Sequence, residues 1–461
     1  MGRMSVPKVA AHVKGPSLRE ILCRDLHEQI LPKHLKLVPQ LNEVYELELA
    51  YYESLILSDE EILRNGAYFE SVGGQPTRHF LMCQGEPLRL ADHSSSRLKS
   101  FFKTNQFKTG YATHGLFPYR GKFHPQMIKG LINIMGLKPG DTVLDPMMGS
   151  GTVLIEATLM GINSVGVDAS PFCEFMARAK VDGLTIPVKY VRAGLDDFET
   201  TYRYFSARVA GTERPTSQVQ RSLFGQETGG EKTEGPLLRG CKRKDVHDYL
   251  MLAFLDAKGY AERSQRKSFR EQFKAILERY CFAAEKIQRV LNGLLDELGN
   301  AVAMEGDARK LSLDDNSIDG IIFSPPYSFA IDYLENDEYH LRSLGVDVEE
   351  LRKSMIGLRG ARLKTKYDLY VEDMTRVIAE CSRVLKPGKI CSIVVGTNNN
   401  QLSKILDVDP EEVTGIDEIL SQLGRTHGME VVRKIERQIT GMANTMRSEF
   451  IVMLQKTDNR G

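Results

Sequence analysis

Thr142-Val-Leu-Asp-Pro-Met-Met-Gly-Ser-Gly-Thr152 decides the fold. Thr142–Met148 is a short apolar run of strand length, and Gly149–Thr152 is a tight glycine turn. Val153–Met160 then carries helix-forming residues until Gly161–Asn163 ends it, and Ser164–Asp168 starts a second strand. Short apolar strands alternating with helices predict an open, mostly parallel α/β sheet covered on both faces. In such sheets ligands bind beyond the carboxyl ends of the strands, where this glycine turn lies.

The residue types of the turn suit a nucleoside-bearing ligand. Gly149 and Gly151 let the backbone approach a ligand without a Cβ in the way. A phosphate loop of the Walker type needs Gly-Lys-Ser/Thr, which is absent. Asp168, at the end of the second strand, is placed to accept hydrogen bonds from ribose hydroxyls. Asp307, in Glu305-Gly-Asp-Ala-Arg309 after the strand that begins at Val302, is placed to accept one from an adenine amino group. The candidate cofactor set is Asp145, Pro146, Gly149, Ser150, Gly151, Thr152, Asp168, Asp307 and Ala308. Taken singly, the glycine turn reads equally as a structural joint with Asp145 as its cap, and Asp307 reads better as a plain turn residue.

A second motif, Ser324-Pro-Pro-Tyr327, closes the strand Gly320–Phe323. The Ser324 hydroxyl oxygen and the Pro325 carbonyl offer two acceptors for the two hydrogens of an exocyclic amino group. Such an amine is a poor nucleophile while its lone pair is conjugated into a ring, and binding both hydrogens favours a pyramidal nitrogen. Pro325 and Pro326 fix φ and stiffen the turn, and Tyr327 offers a flat face for stacking. Positioning and electrostatics suffice, without metal or covalent intermediate.

Outward from these motifs the chain falls into four regions. Residues 1–110 are a mixed leader, with a helix over Leu41–Ser58 and short strands past Gly73–Gly74, such as His79–Cys83. Residues 111–190 hold the first sheet half. Residues 191–300 interrupt it, with a mobile polar loop over Gly211–Gly240 and amphipathic helices over Asp245–Leu298. Residues 301–461 resume the sheet: a strand at Val302, a helix over Tyr370–Leu385 stopped by Lys386-Pro-Gly388, a strand over Ile390–Gly396, and a closing antiparallel pair, Met429–Thr440 with Glu449–Gln455.

Composition sets bounds. With 461 residues, 42% hydrophobic and 26% charged, the chain has enough apolar material for a large core. Its formal net charge is zero, so any nucleic-acid surface is a local patch. Seven scattered cysteines without a CxxC argue against structural zinc and for a reducing compartment. No apolar run nears the roughly 20 residues of a membrane span, and no signal-peptide core is visible, so the expected location is the cytoplasm. His114 and His124 read as structural or cofactor-packing residues, not metal ligands.

These motifs resemble the amino-methyltransferase group of DNA methyltransferases. Asp145-Pro-Met-Met-Gly-Ser-Gly-Thr152 resembles their cofactor motif, usually Asp-Pro-Phe-x-Gly-Ser-Gly-Thr, with Met147 in place of Phe. Ser324-Pro-Pro-Tyr327 resembles their catalytic motif, and Thr113–Gln126 resembles the segment that packs over the methionine end of the cofactor. The resemblance covers about 111–190 and 301–461 and not the leader or the insert. It implies a Rossmann-like class I methyltransferase fold with a seven-stranded sheet, S-adenosylmethionine as cofactor, and a DNA base flipped out or unpaired as substrate. Ser324 in the first clamp position is similar to the cytosine-N4 branch. The adenine-N6 branch usually has Asp or Asn there, although a cofactor motif preceding the catalytic motif is the adenine-type order. Restriction–modification, phage defence or epigenetic marking would be the setting. Cytosine-C5 chemistry needs a thiolate, typically in a Pro-Cys pair, and no cysteine here follows a proline.

RNA is the second reading, because tRNA guanine-N2 methyltransferases share a related (Asp/Asn)-Pro-Pro-Tyr motif and usually carry an N-terminal RNA-binding domain. A non-catalytic subunit is the third, but such proteins usually lose one of the two motifs. Phosphate contacts have three candidate segments. The first is Arg97, Lys99, Lys103 and Lys108 interleaved with Phe101, Phe102 and Phe107, and continued by Arg120 and Lys122. The second is 239–279, with eleven Lys/Arg against six Asp/Glu, a difference of +5. The third is Lys353, Arg359, Arg362, Lys364 and Lys366. Asp332-Tyr333, just past the clamp, is a candidate for the base pocket.

Overall fold

The computed structural model describes residues 25–39, 41, 43–83, 110–119, 121–209, 243–263, 268–326, 333–438 and 448–458. Tyr327, Asp332, the first basic segment up to Lys108, Arg120 and the loop 211–240 therefore lie outside the described residues.

Three short strands come first: β1 (Leu35–Leu37), β2 (Phe69–Val72) and β3 (Gln75–Pro76), paired antiparallel. The main sheet comprises β4 (Thr142–Asp145), β5 (Asn163–Asp168), β6 (Ala301–Glu305), β7 (Ile318–Phe323), β8 (Leu385–Thr397), β9 (Met429–Gln438) and β10 (Ser448–Lys456). Its order is β6-β5-β4-β7-β8-β10-β9. Pairings from β6 through β8 are parallel, and β10 runs antiparallel to both neighbours. The chain steps outward from β4 to β6, then returns to lay β7 on the other side of β4. That reversal opens a crevice at the carboxyl ends of β4 and β7.

Alternation along the strands builds a core on each face. Val143 and Ile322 face one side with Met127, Leu131, Val153 and Leu154. Leu144, Ile321 and Phe323 face the other with Met374, Val377 and Cys381 of the Leu363–Val384 helix. All six residues of β7 are buried, as a central strand covered on both faces requires.

The leader packs into the first of these cores rather than standing apart, through Tyr45, Leu49, Tyr68 and Phe69. Its Glu53 is fully buried and accepts from the Ala67 and Tyr68 backbone N–H groups and from Asn133 of the Pro125–Ile134 helix. The expected strand at His79–Cys83 is instead a helix, Arg78–Cys83, whose start is held by the Phe80 N–H donating to Thr77 Oγ1 at 3.1 Å. The helix expected over Tyr370–Leu385 starts earlier, at Leu363, and Lys386-Pro-Gly388 lies inside β8, opposite an irregularity in its register with β7. Proline is tolerated there because the ladder is already interrupted.

The insert is helical: Arg243–Arg263 and Phe269–Val290, then one 3-10 turn at Leu295–Glu297. Ser268 and Glu271 form a capping box that starts the second helix. Phe254, Phe273, Tyr249 and Tyr280 pack against Phe172 and Met176 of the Pro171–Asp182 helix, so the insert forms a third core continuous with the sheet layer. Among the described residues no helix is long and apolar enough to cross a membrane.

Candidate active site

A cleft open to solvent lies at the carboxyl ends of β4, β5 and β7. It brings both sequence motifs together. Pro146, Gly149, Ser150, Thr152, Asp168, Asp307 and Ala308 line it, and so do Ser324, Pro325 and Pro326. Asp145 and Gly151 stand behind the wall.

The turn is shaped from behind. Asp145 is fully buried, and its Oδ1 accepts from the Met147 N–H at 3.1 Å. Burial pushes its carboxyl well above the usual range. Gly151 takes φ 76° to start the Thr152–Met160 helix, and a Cβ there would lie 2.8 Å from the Ala177 Cβ. The glycine thus serves the packing of two helices, while Gly149, at φ 48°, is the one facing the cleft. A Cβ on Gly149 would sit 3.2 Å from the Tyr119 ring.

Asp168 lines the cleft and also braces the turn. Its two oxygens accept from the Gly149 N–H and the Ser170 N–H, each at 2.9 Å. Burial raises its carboxyl, against the lowering effect of these bonds. Asp307 is tied by both oxygens to Arg309, with Nε at 2.9 Å and Nη2 at 2.8 Å. Burial raises the Asp307 carboxyl, but Arg309 outweighs it and holds the group below its usual range. A bidentate arginine leaves carboxylate lone pairs free, and the Asp307 side chain keeps 46% of its exposure, so it can still accept from a ligand in the cleft.

Across the cleft, Ser324 Oγ donates to the Pro325 carbonyl at 3.4 Å. The two intended acceptors are therefore side by side on the wall that faces the glycine turn. Tyr327 lies outside the described residues.

Several lining residues lie outside the two motifs: Tyr119, Cys173, Asp337, Met355 and Ile356. Tyr119 belongs to the Thr113–Gln126 segment, and its hydroxyl lies 3.5 Å from Cys173 Sγ. Cys173, Asp337, Met355 and Ile356 belong to no motif and reach the cleft only through helix packing. Lys122, a phosphate candidate by sequence, also lines the cleft. It donates to the His114 carbonyl at 2.8 Å, and burial lowers its ammonium to about 8.

The shape and chemistry of the cleft suit S-adenosylmethionine. The cradle above Gly149 is one that a Cβ would fill. Two acids, Asp168 at the end of β5 and Asp307 just past the end of β6, line the cleft, and so does Lys122. The residues fit the group.

The other candidates fall differently. His114 is buried, with Nε2 2.6 Å from Glu156 Oε1, which the Tyr111 hydroxyl also approaches at 2.6 Å. It is a packing residue off the cleft wall. In the second basic segment, Arg279 pairs with buried Asp256, and exposed Arg270 pairs with Glu199. In the third, Lys353 pairs with Glu350, Arg359 with Asp373 and Lys364 with Asp368, while Arg362 is exposed. This segment does border the cleft, through Ser354, Met355 and Ile356.

A family model described as an RMKL-like methyltransferase domain (UPF0020) matches residues 116–339. The chain is 24% identical over 399 residues to the type II methyltransferase M.MjaII of Methanocaldococcus jannaschii, covering 64% of this chain and 74% of that protein. It is 25% identical over 306 residues to the type II methyltransferase M.BsoBI of Geobacillus stearothermophilus, covering 56% of this chain and only 57% of that one. A 52-residue stretch is 46% identical to a tRNA (guanine(10)-N2)-dimethyltransferase of Methanothermobacter thermautotrophicus, covering 11% of this chain and 16% of that one. With the strand order and the joined motifs, these likenesses make the chain similar to S-adenosylmethionine-dependent amino-methyltransferases, most directly over residues 116–339.

Proposed function

We propose that this chain transfers a methyl group from S-adenosylmethionine to the exocyclic amino group of a DNA base, with cytosine N4 as the first target and adenine N6 as the near alternative. The observation that carries the reading is the pair of acceptors, Ser324 Oγ and the Pro325 carbonyl, 3.4 Å apart on the cleft that also holds the glycine turn. The type II methyltransferase relatives support DNA, and Ser324 in the first clamp position supports cytosine.

The cofactor supplies an electrophilic methyl group. Asp168 holds the Gly149 turn for it, and Asp307 offers an acceptor to its base. Gly149, Ser150 and Thr152 form the floor. Ser324 and the Pro325 carbonyl take the two hydrogens of the target amine and turn its lone pair inward, while Pro326 keeps the turn stiff. Tyr327, next in sequence, is assigned the stacking role. The exposed Arg362 and its neighbours are assigned to backbone phosphates. In a cell such an enzyme would act as the modification partner of a restriction nuclease, in phage defence or in epigenetic marking.

A second reading, methylation of a tRNA guanine N2, is favoured by the 46% identical stretch. Mass spectrometry of nucleosides tests both, after the protein and S-adenosylmethionine are incubated with DNA or with tRNA. We expect 4-methylcytosine. 6-Methyladenine moves the target within the proposal, and methylated guanosine with unmodified DNA overturns it in favour of RNA.

A further inference from the structure

Arg309 reaches three separate elements. Its guanidinium grips Asp307, on the turn after β6, through Nε and Nη2. Its Nη1 donates to Asp373 Oδ1 at 2.9 Å, on the Leu363–Val384 helix. Its Nη2 also donates to the Ser354 carbonyl at 2.9 Å, at the end of the Val348–Ser354 helix. Arginine suits this task because its planar fork sends several donors outward at fixed angles, which a lysine cannot do.

The contact matters because Ser354 begins a stretch of cleft wall. Ser354, Met355 and Ile356 line the cleft. Gly357, at φ 82°, packs against the clamp, with Pro326 Cβ 3.6 Å from where a glycine Cβ would be. Arg359 then turns back to Asp373 Oδ1 at 2.5 Å. Asp373 is fully buried, and both arginines reach the same oxygen of its side chain. The stretch Ser354–Gly357 is thus pinned at one end through Arg309 and just beyond the other through Arg359, with its middle forming wall between the cofactor acid and the proline turn.

We propose that Arg309 is a positioning residue that couples cofactor binding to the wall of the target-base pocket. It fixes the Asp307 carboxylate for the cofactor, and through the Ser354 carbonyl it fixes the Met355–Ile356 wall against which the base lies. This rests on the reading of the cleft as a cofactor and base site. A ligand drawing on Asp307 lowers the freedom of Arg309, and with it the freedom of Ser354–Gly357. The cofactor therefore binds first, because the base pocket is completed when it is in place.

Hydrogen–deuterium exchange with S-adenosylhomocysteine as the probe tests this. In the wild-type protein, saturating probe should slow exchange both at the 145–152 turn and at 354–357. In Arg309→Lys, which keeps the charge and loses the fork, the probe should bind about tenfold more weakly. At saturation the 145–152 turn should still be protected while 354–357 is not. A merely structural role would lower the melting temperature and leave the probe-dependent protection at 354–357 intact. Protection of 354–357 that persists in the variant overturns the proposal. So does wild-type protection confined to 145–152, a result that needs no variant to fold. Protection at neither segment means that the cofactor reading itself has failed, and the coupling falls with it.

Discussion

The Asp168 carboxylate accepts a hydrogen bond from the Gly149 backbone N–H at 2.9 Å, so the acid that ends β5 holds the turn at the end of β4. Its other oxygen accepts from Ser170 at the start of the next helix. Asp168→Asn keeps the shape but offers one acceptor where two are used, and its amide nitrogen must face an N–H. The lost bond to a charged acceptor costs about 1.5–3 kcal/mol, so S-adenosylhomocysteine should bind at least about tenfold more weakly. Calorimetry on the folded variant reads this directly, and an unchanged affinity would mean that the turn holds its shape without the acid.

Gly151→Ala tests the division of labour between the two glycines. The position has φ 76°, and its new Cβ would meet the Ala177 Cβ at 2.8 Å on a neighbouring helix, where neither atom can rotate away. The strain and overpacking together should cost about 2–4 kcal/mol of stability, seen as a lower urea midpoint. Adding Ala177→Gly should recover the steric part and leave the backbone part. A single variant as stable as the wild type would show that the two helices separate freely.

His79 gives a pH dependence. It is buried in the leader against the edge of Tyr111. Burial first, then the charge of Lys129 and of other neighbouring cations, lowers its pKa to about 3, against the opposing effect of Glu156. The unfolded chain takes up this proton near 6.5 and the native chain does not, so between those values the unfolded state binds more protons. Stability is therefore complete above about pH 6.5 and falls as pH drops toward 3, by at most about 1.4 kcal/mol per unit from this residue. Urea unfolding at pH 7.5, 6 and 5 should show a shallower loss for His79→Phe than for the wild type. Parallel curves would assign the acid sensitivity elsewhere.

The central sheet was legible because β4, β5 and β7 are short apolar runs bounded by glycine, acid or proline, and their order is implied by the two motifs. The glycine turn and the clamp were legible for the same reason: each is contiguous in sequence. The features that escaped depend on distant contacts. Met355, Ile356 and Asp337 meet the cleft only because the Val348–Ser354 and Tyr333–Ser343 helices pack over it. Arg309 looks in sequence like the tail of a turn, and nothing local tells that it bridges to a residue 64 positions away. His79–Cys83 misleads because five residues carry too little periodicity to separate a strand from a short helix. The insert's basic count overstates its free charge, since Arg270 and Arg279 answer acids in the fold.

Ser324→Ala separates holding the amine from holding the cofactor. The hydroxyl lies beside the Pro325 carbonyl, and deleting it leaves one acceptor for an amine with two hydrogens. The turn keeps its shape, because Pro325 and Pro326 fix the backbone without help from the serine side chain. The remaining carbonyl orients one N–H only, and the nitrogen lone pair drifts back toward conjugation with the ring. Loss of a preorganised hydrogen-bonding group of this kind should lower the single-turnover rate of methyl transfer by about 10²-fold. S-adenosylhomocysteine affinity should stay within about twofold, since the acids and the glycine turn are untouched. Rapid-quench assays with labelled cofactor, run on whichever nucleic acid the wild type modifies, give the first number, and calorimetry gives the second. Equal losses in both would mean that Ser324 shapes the whole cleft, and a full rate in the alanine variant would remove the serine from the clamp and leave the Pro325 carbonyl to act alone.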